Sequence, residues 1–352
     1  MFETMCLELA DAGHEVRALV ADEAVRLADG LGELVVRRIP AQPTRLAGLQ
    51  LLRPWRLAAV ARAVRTTPGE VLLVNLPSGE YGSAALLVSG RPSVGLLHVH
   101  TGLRAAGFRL GRLREHVAGL ALRRARMLMT VSPEHADLQA VWGYPAARTV
   151  WVPLPAPVRS AGPGCAQARA ALGLRLEGPV VTLLGRLSVL QKGHDVLLEA
   201  APELLRRLPG LQLALCGDGP DRERIARLVE VHGLGDAVRM TGHTDPATAL
   251  AAATAIAIPS RFEGLPLVAL EALEAGVPGV VASVDGLKAL WPTEWQVRPE
   301  DPIALARRLA DLLEGPQADR DALVRDGRER LRRLTSERPH EAVARTLAGA
   351  VG

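Results

Sequence analysis

From Ala255 to Pro278 the chain reads A-I-A-I-P-S-R-F-E-G-L-P-L-V-A-L-E-A-L-E-A-G-V-P. Ala255 to Ile258 is a short apolar run ended by Pro259, the pattern of a buried parallel strand, and Pro266 has the fixed φ suited to a first helical position. The turn between them faces a helix N-terminus. Unpaired N–H groups and a partial positive charge make such a terminus the natural seat of an anion such as a diphosphate. Glu263 falls in this turn and Glu271 eight positions later on the helix, roughly 7 Å beyond Pro266 along the axis. The two carboxylates are placed to touch opposite ends of one extended ligand. Val268, Ala269, Leu270, Ala272 and Leu273 flank Glu271, so the helix is expected to be apolar nearly all round and buried. A carboxylate there needs partners. Either a ribose diol supplies them, or Glu271 and Glu274 are structural, paired with an Arg or capping a loop.

Upstream, Pro179 to Leu184 reads as a buried strand that runs into Gly185-Arg186-Leu187, then Gln191-Lys192-Gly193-His194-Asp195 and a helical pattern. Arg186 and Lys192 therefore stand six positions apart at the carboxyl end of a strand, where open α/β sheets bind ligands. The chain holds 40 Arg but only two Lys, Lys192 and Lys288, so a lysine at this turn stands out. Its compact charge suits one phosphate oxygen, and the Arg186 guanidinium can take two. The alternative is two solvated loop cations. Leu211 to Leu215 leads to Cys216-Gly217-Asp218-Gly219-Pro220, and Val238 to Met240 leads to Thr241-Gly242-His243-Thr244. Parallel strands place these four exits along one sheet edge.

Gly185-Arg186 with Lys192-Gly193, Gly217-Asp218-Gly219-Pro220, Thr241-Gly242, and Pro259-Ser260 through Glu263-Gly264-Leu265-Pro266 to Glu271-Ala272 and Gly276-Val277-Pro278 resemble a retaining glycosyltransferase of family 4. The resemblance covers residues 150 to 330 closely and the N-terminal half more loosely. It implies an α/β chain of GT-B architecture, two Rossmann-like doubly wound domains facing a central cleft. The expected division is 1–152 for acceptor binding, a hinge at 153–164, 165–330 for the nucleotide-sugar donor, and a helix in 331–352 that crosses back. The activity implied is transfer of a sugar from a nucleotide-sugar donor, with retention and no metal or other cofactor. Arg186 and Lys192 would hold the donor diphosphate, Glu271 the ribose and Glu263 the donor sugar. Gly185, Gly217 and Gly219 would line the donor, the backbone of Gly264, Leu265, Pro266, Leu267 and Val268 would face phosphates or sugar, and Met240 and His243 would flank the base.

In the N-terminal half, Met5 to Ala12 reads as a helix and Glu15 to Val20 as a strand. In the family a first strand precedes that helix, so this domain is expected to lack it. Val71 to Leu76 and Ser93 to Leu97 read as parallel strands, the second ending in His98-Val99-His100. A histidine at this strand end matches the family's active-site position; His98 fits better, and His100 keeps the same parity. Trp151 to Gly164, W-V-P-L-P-A-P-V-R-S-A-G-P-G, admits neither helix nor central strand. Val284-Asp285-Gly286-Leu287 stands where many family members have two adjacent glycines, and Pro302 to Leu313 and the Arg-rich stretch from Asp321 to Gly349 read as helices.

The 352 residues suffice for two domains, 48% apolar and only 3% aromatic, so aliphatic side chains must fill the cores. Residues 1 to 160 hold 19 Arg against 13 acidic residues, and the remainder is slightly acidic. Arg104, Arg109, Arg112, Arg114, Arg123, Arg124 and Arg126 interleave with Leu103, Phe108, Leu110, Leu113, Val117, Leu120 and Leu122, which suits basic amphipathic helices. These serve a solvated surface, an anionic acceptor site or peripheral contact with anionic lipid. Nucleic-acid binding lacks both motif and stacking aromatics. Cys6, Cys165 and Cys216 show no metal spacing or disulfide framework, the pattern of a cytoplasmic enzyme, with the membrane's inner face as its docking surface if it has one. No run approaches the roughly 20 residues of a spanning helix, and the first residues lack a basic signal-peptide region.

Positive groups aimed at the departing diphosphate would lower the barrier without a metal. The only D-x-D, Asp319-Arg320-Asp321, lies in a charged helical run. Glu263 and Glu271 also admit a glycosidase-like pair, but such hydrolysis needs no phosphate clamp. Acceptors compatible with these readings are a cell-envelope glycan, a lipid-linked sugar or a secondary metabolite. A nucleotide-sugar epimerase, a phosphorylase and a non-catalytic nucleotide-sugar binding subunit are the competing readings.

Overall fold

A computed structural model describes residues 2–21, 29–39, 54–80, 82–99, 110–132, 142–152, 162–335 and 339–351. It divides into two compact units, Met1–Pro155 with Leu334–Gly352, and Ala156–Arg333.

In the first unit, helix α1 (Phe2–Asp11) precedes strand β1 (Ala18–Ala21), which pairs in parallel with β2 (Val35–Ile39). Strand β1 begins three residues later than the Glu15 to Val20 pattern suggests, because Glu15 is exposed and Val16 and Arg17 are only half-buried. Helix α2 (Pro54–Thr66) leads to a four-stranded parallel sheet, β3 (Leu72–Leu76), β4 (Ser93–Leu97), β5 (Met127–Thr130) and β6 (Thr149–Trp151), in that spatial order. Trp151 closes this edge strand, so the proline-rich stretch begins after it. Helices α3 (Ser83–Val88) and α4 (Gly111–Leu122) lie between strands. Every residue of β4 is buried, as a strand covered on both faces requires. Trp142 and Tyr144 fill the core beside Leu122 and Leu128.

Within the basic segment, the residues do not share one role. Arg114 turns inward to buried Glu80, Arg126 donates to the Ala350 carbonyl, and Leu122 is wholly buried, whereas Leu110, Leu113 and Leu120 are exposed. Residues 100–109 lie outside the described ones.

The second unit opens with α5 (Cys165–Ala171) and builds a six-stranded parallel sheet from β7 (Val180–Leu184), β8 (Gln212–Cys216), β9 (Val238–Gly242), β10 (Ala255–Ile258), β11 (Gly279–Ala282) and β12 (Gln296–Val297). Their spatial order is β12-β11-β10-β7-β8-β9. The chain winds outward from β7 through β8 and β9, then returns to the other side of β7 and winds outward again. The winding reverses between β7 and β10, the switch point at which open sheets leave a crevice. The helices sort accordingly. On one face α7 (His194–Arg207) packs on α8 (Arg222–Val231) and α12 (Pro302–Glu314); on the other α9 (Pro246–Ala252) packs on α5 and α10 (Leu267–Ala275). Short α6 (Val189–Lys192) precedes α7, α11 (Leu287–Leu290) follows β11, and α13 (Gln317–Leu334) precedes α14 (Pro339–Val351). Helix α14 packs on α1, β4 and β5 of the first unit.

Candidate active site

The loops after β7 and β10 flank the switch point, and a buried ion pair joins them. Lys192 Nζ donates to Glu263 Oε1 at 2.6 Å, with side chains only 15% and 5% exposed. Ser260 Oγ donates to the same oxygen at 2.7 Å. Two residues that the sequence assigns to different parts of a ligand thus touch one another. Lys192 keeps two further N–H donors.

The turn carrying Lys192 is fastened along its length. Asp221 Oδ2 accepts from Val189 N at 2.8 Å, which caps α6. Gly193, at φ 66, adopts the left-handed geometry that ends α6 and starts α7. Lys192 also lies across Gly185, whose position would bring any Cβ within 3.4 Å of Lys192 Cε. The Arg186 side chain is exposed and makes no hydrogen bond or ion pair with the described residues, although its carbonyl accepts from Ser188 N at 2.8 Å.

Helix α10 starts at Leu267, with Pro266 as its N-cap at φ −72 and ψ 118, one position later than the proline's fixed φ suggests. No side chain caps it, so its first N–H groups remain available. At the other end Arg328 donates to the carbonyls of Leu273 and Glu274 at 2.7 and 2.8 Å. The helix is not buried all round. Ala269, Leu270, Ala272 and Leu273 are buried, whereas Leu267 is 46% exposed and Glu271 half-buried. No hydrogen bond or ion pair joins the Glu271 carboxylate to the described residues, so neither structural alternative for it is realised there. Burial, with Asp245 nearby, pushes its carboxyl above the usual range.

Gly217 and Gly219 lie against the Gly185 and Leu187 backbones, closer than any side chain permits. Met240 is half-buried on β9 and His243 is exposed at its exit. Gly264 is buried, and the Gly286 backbone abuts its carbonyl; that glycine, at φ 78, holds the place of the expected glycine pair. Asp319 and Asp321 sit inside α13, where Asp321 accepts from Gln317 at 2.9 Å.

Sequence reasoning assigned no role to His194, which is wholly buried with neither ring nitrogen in a well-formed hydrogen bond. Burial lowers its pKa to about 4 from 6.5, although Asp195, Asp221 and the Ser188 backbone favour the proton. Between these values the unfolded chain binds more protons, so stability is retained above pH 6.5 and lost as pH falls toward 4. At pH 5 this one group should cost about 2 kcal/mol. The melting temperature should fall less between pH 7 and 5 in His194→Gln than in the wild type; an equal fall would refute the assignment.

In the first unit, His98 directly follows β4 and its Nε2 lies 2.5 Å from Asn75 Oδ1 on neighbouring β3. Burial lowers its pKa to about 4, so at neutral pH Nε2–H donates to Asn75 and Nδ1 is an acceptor with no partner among the described residues. Asn75 sits in an apolar strand whose sequence carries no sign of this pairing. His100 lies outside the described residues.

Two family profiles match the chain, "Glycosyl transferase 4-like domain" over residues 1–155 and "Glycosyl transferases group 1" over residues 178–315. The chain is 32% identical over 347 residues to a D-inositol 3-phosphate glycosyltransferase of Frankia alni, covering 88% of this chain and 84% of that one. Sucrose-phosphate synthase from Thermosynechococcus elongatus superposes with a TM-score of 0.69 at 25% identity, covering 90% of this chain and 80% of that one. Anabaena HepE, solved with UDP and glucose, shares the fold at a TM-score of 0.76 and 20% identity, covering 99% and 95%. The two parallel-sheet units are those of the GT-B architecture, and the chain belongs to the group 1 glycosyl transferases, as a family 4 glycosyltransferase.

Proposed function

We propose that this glycosyltransferase moves a sugar, with retention, from a nucleoside diphosphate sugar to an anionic polyol of the inositol phosphate class. The observation that carries the reading is the meeting of Lys192 and Glu263 at the switch point, with unengaged Arg186 and unpaired Glu271 on the flanking elements. The remaining N–H donors of Lys192, the Arg186 guanidinium and the uncapped start of α10 take the diphosphate. They stabilise the charge that develops as the glycosyl–phosphate bond breaks, and the reading requires no metal. Glu271 takes the ribose hydroxyls, Glu263 the donor sugar, and Met240 and His243 flank the base. Glu263 is already engaged by Lys192 and Ser260, which supports a binding role over a nucleophilic one. His98, neutral at working pH, offers a hydrogen bond rather than a charge.

The acceptor class rests on the name of the Frankia alni relative and on the arginine excess of the first 160 residues. Leu113 and Leu120 stand exposed on α4 with Arg123 and Arg124 also exposed, which supports peripheral contact with an anionic membrane face. Among the described residues no helix is long and apolar enough to cross a membrane.

Thermal melting with UDP, GDP, dTDP and ADP tests the donor. One nucleotide at a hundred times its Kd should stabilise the native chain by about 2.7 kcal/mol, and Arg186→Ala should lose most of that shift. Release of the same nucleoside diphosphate on adding an inositol phosphate and the matching nucleotide sugar tests the acceptor. No shift with any of the four would sink the donor reading.

A further inference from the structure

Lys192 and Glu263 arrive from two different strand exits, and a third side chain ties those exits together. Arg261, two residues before Glu263, reaches across the switch point with its backbone N–H and both Nη groups. Its backbone N–H donates to Gln191 O at 2.8 Å. Nη1 donates to Val189 O at 2.8 Å and to Asp195 Oδ1 at 3.0 Å, and Nη2 donates to Asp195 Oδ2 at 3.0 Å. Nε donates to Glu300 Oε1 at 3.0 Å. The gripped residues, Val189, Gln191 and Asp195, bracket Lys192 on both sides.

Two backbone features fit this arrangement. Glu300 is held at φ 61, in the left-handed region that residues with a Cβ seldom adopt, and its carboxylate ends on Arg261. Gly193 lies so close to the Pro259 carbonyl that any larger residue would collide with it. The Lys192 turn and the Glu263 loop are therefore seated backbone against backbone, and Arg261 spans the seam. The guanidinium is suited to this by its fixed fork, which meets a carboxylate bidentately and still presents Nε to a second one.

The geometry points to Arg261 as a positioning residue: through Asp195, Val189 and Gln191 it fixes the spacing between the Lys192 ammonium and the Glu263 carboxylate, so both meet the donor already aligned. This rests on the donor-site reading above. Arg261 does not touch the ligand; it acts through Lys192. When a diphosphate draws on the free N–H groups of Lys192, the Glu263 loop would be free to follow or slip were it tied only by the Lys192–Glu263 contact. Arg261 holds it in place. Misplacement of about 1 Å at such a site can cost roughly 100-fold.

The test compares two affinities in each variant, for the nucleoside diphosphate that best stabilises the wild type and for its parent nucleoside, both by titration calorimetry. The nucleoside lacks the phosphates that Lys192 is read to hold. Arg261→Gln should weaken the diphosphate roughly 10- to 100-fold and the nucleoside little, so their ratio falls. Arg261→Lys keeps the charge but not the fork, and should restore only part of the ratio. Asp195→Asn leaves the Val189, Gln191 and Glu300 contacts and supplies the same readout if Arg261→Gln folds poorly. Arg206→Gln, which breaks an exposed pair with Glu203, should leave both affinities unchanged. Equal weakening of diphosphate and nucleoside, or no change in either, would overturn the positioning role while leaving the donor reading intact. A wild type that binds none of the four diphosphates would refute the donor reading and this inference with it.

Discussion

Lys192→Ala is expected to lower turnover by at least about 10² to 10³ and, separately, to destabilise the second unit. The two losses have different origins. Turnover falls because the departing diphosphate loses a positive group fixed where its charge develops. Stability falls because Glu263, 5% exposed at its side chain, loses the ammonium 2.6 Å away. Breaking a buried pair by removing one partner typically costs about 3–5 kcal/mol, and the hydroxyl of Ser260, 2.7 Å from the same oxygen, offsets only part of it. A second substitution separates the effects. In Lys192→Ala/Glu263→Gln the buried group is neutral, so urea unfolding should recover most of the lost stability while nucleoside diphosphate release stays low. If the single variant turned over near the wild-type rate, the diphosphate assignment would fail. If the double variant were no more stable than the single one, the buried pair would not be the source of the stability loss.

The local part of this site was legible because strand, turn and helix each follow from a few adjacent residues. Ala255 to Ile258 reads as a strand and is one, with all four residues buried. The glycine-bearing exits read as one sheet edge and belong to four neighbouring strands, β10, β7, β8 and β9. What stayed hidden depends on pairing across sequence distance. Lys192 and Glu263 are 71 positions apart, Arg261 and Asp195 66, and Asn75 and His98 23. None of these pairs shares a periodicity that a single chain segment reveals; each exists because the order of strands brings two exits together. Composition also misjudged α10. Leu267 and Ala275 are apolar yet exposed, because the buried face is that of Ala269, Leu270, Ala272 and Leu273, with α9 packed against the helix and Gly327 of α13 against Leu273. The exposure this leaves at Glu271 gives an unpaired carboxylate room for a ligand.

Gly217→Ala should be among the most damaging small changes in the second unit. Three strand exits are stitched at this point by backbone alone: Gly185 N donates to Cys216 O at 2.9 Å, and Gly217 N donates to Gly242 O at 2.7 Å. Gly217 sits at φ +144, and a Cβ there would overlap the Gly185 carbonyl. Backbone on both sides leaves no flexible side chain to give way. Gly185 would have to move, carrying Arg186 with it and disturbing the Lys192 stem that lies across it. Strain at the backbone angle and displacement of the exit together should cost about 3 kcal/mol or more, and the chain that remains folded should bind nucleoside diphosphate weakly. Gly173→Ala isolates the overlap. Gly173 also has a positive φ, +66, but nothing lies within 4 Å of its added Cβ, so only the conformational cost of about 1–2 kcal/mol applies. Urea unfolding of the two variants reads the difference directly. Equal destabilisation would mean that the exits of β7 and β8 can part without loss, and the close seating of Gly217 on Gly185 would then have no part in holding Arg186 and Lys192 on the donor.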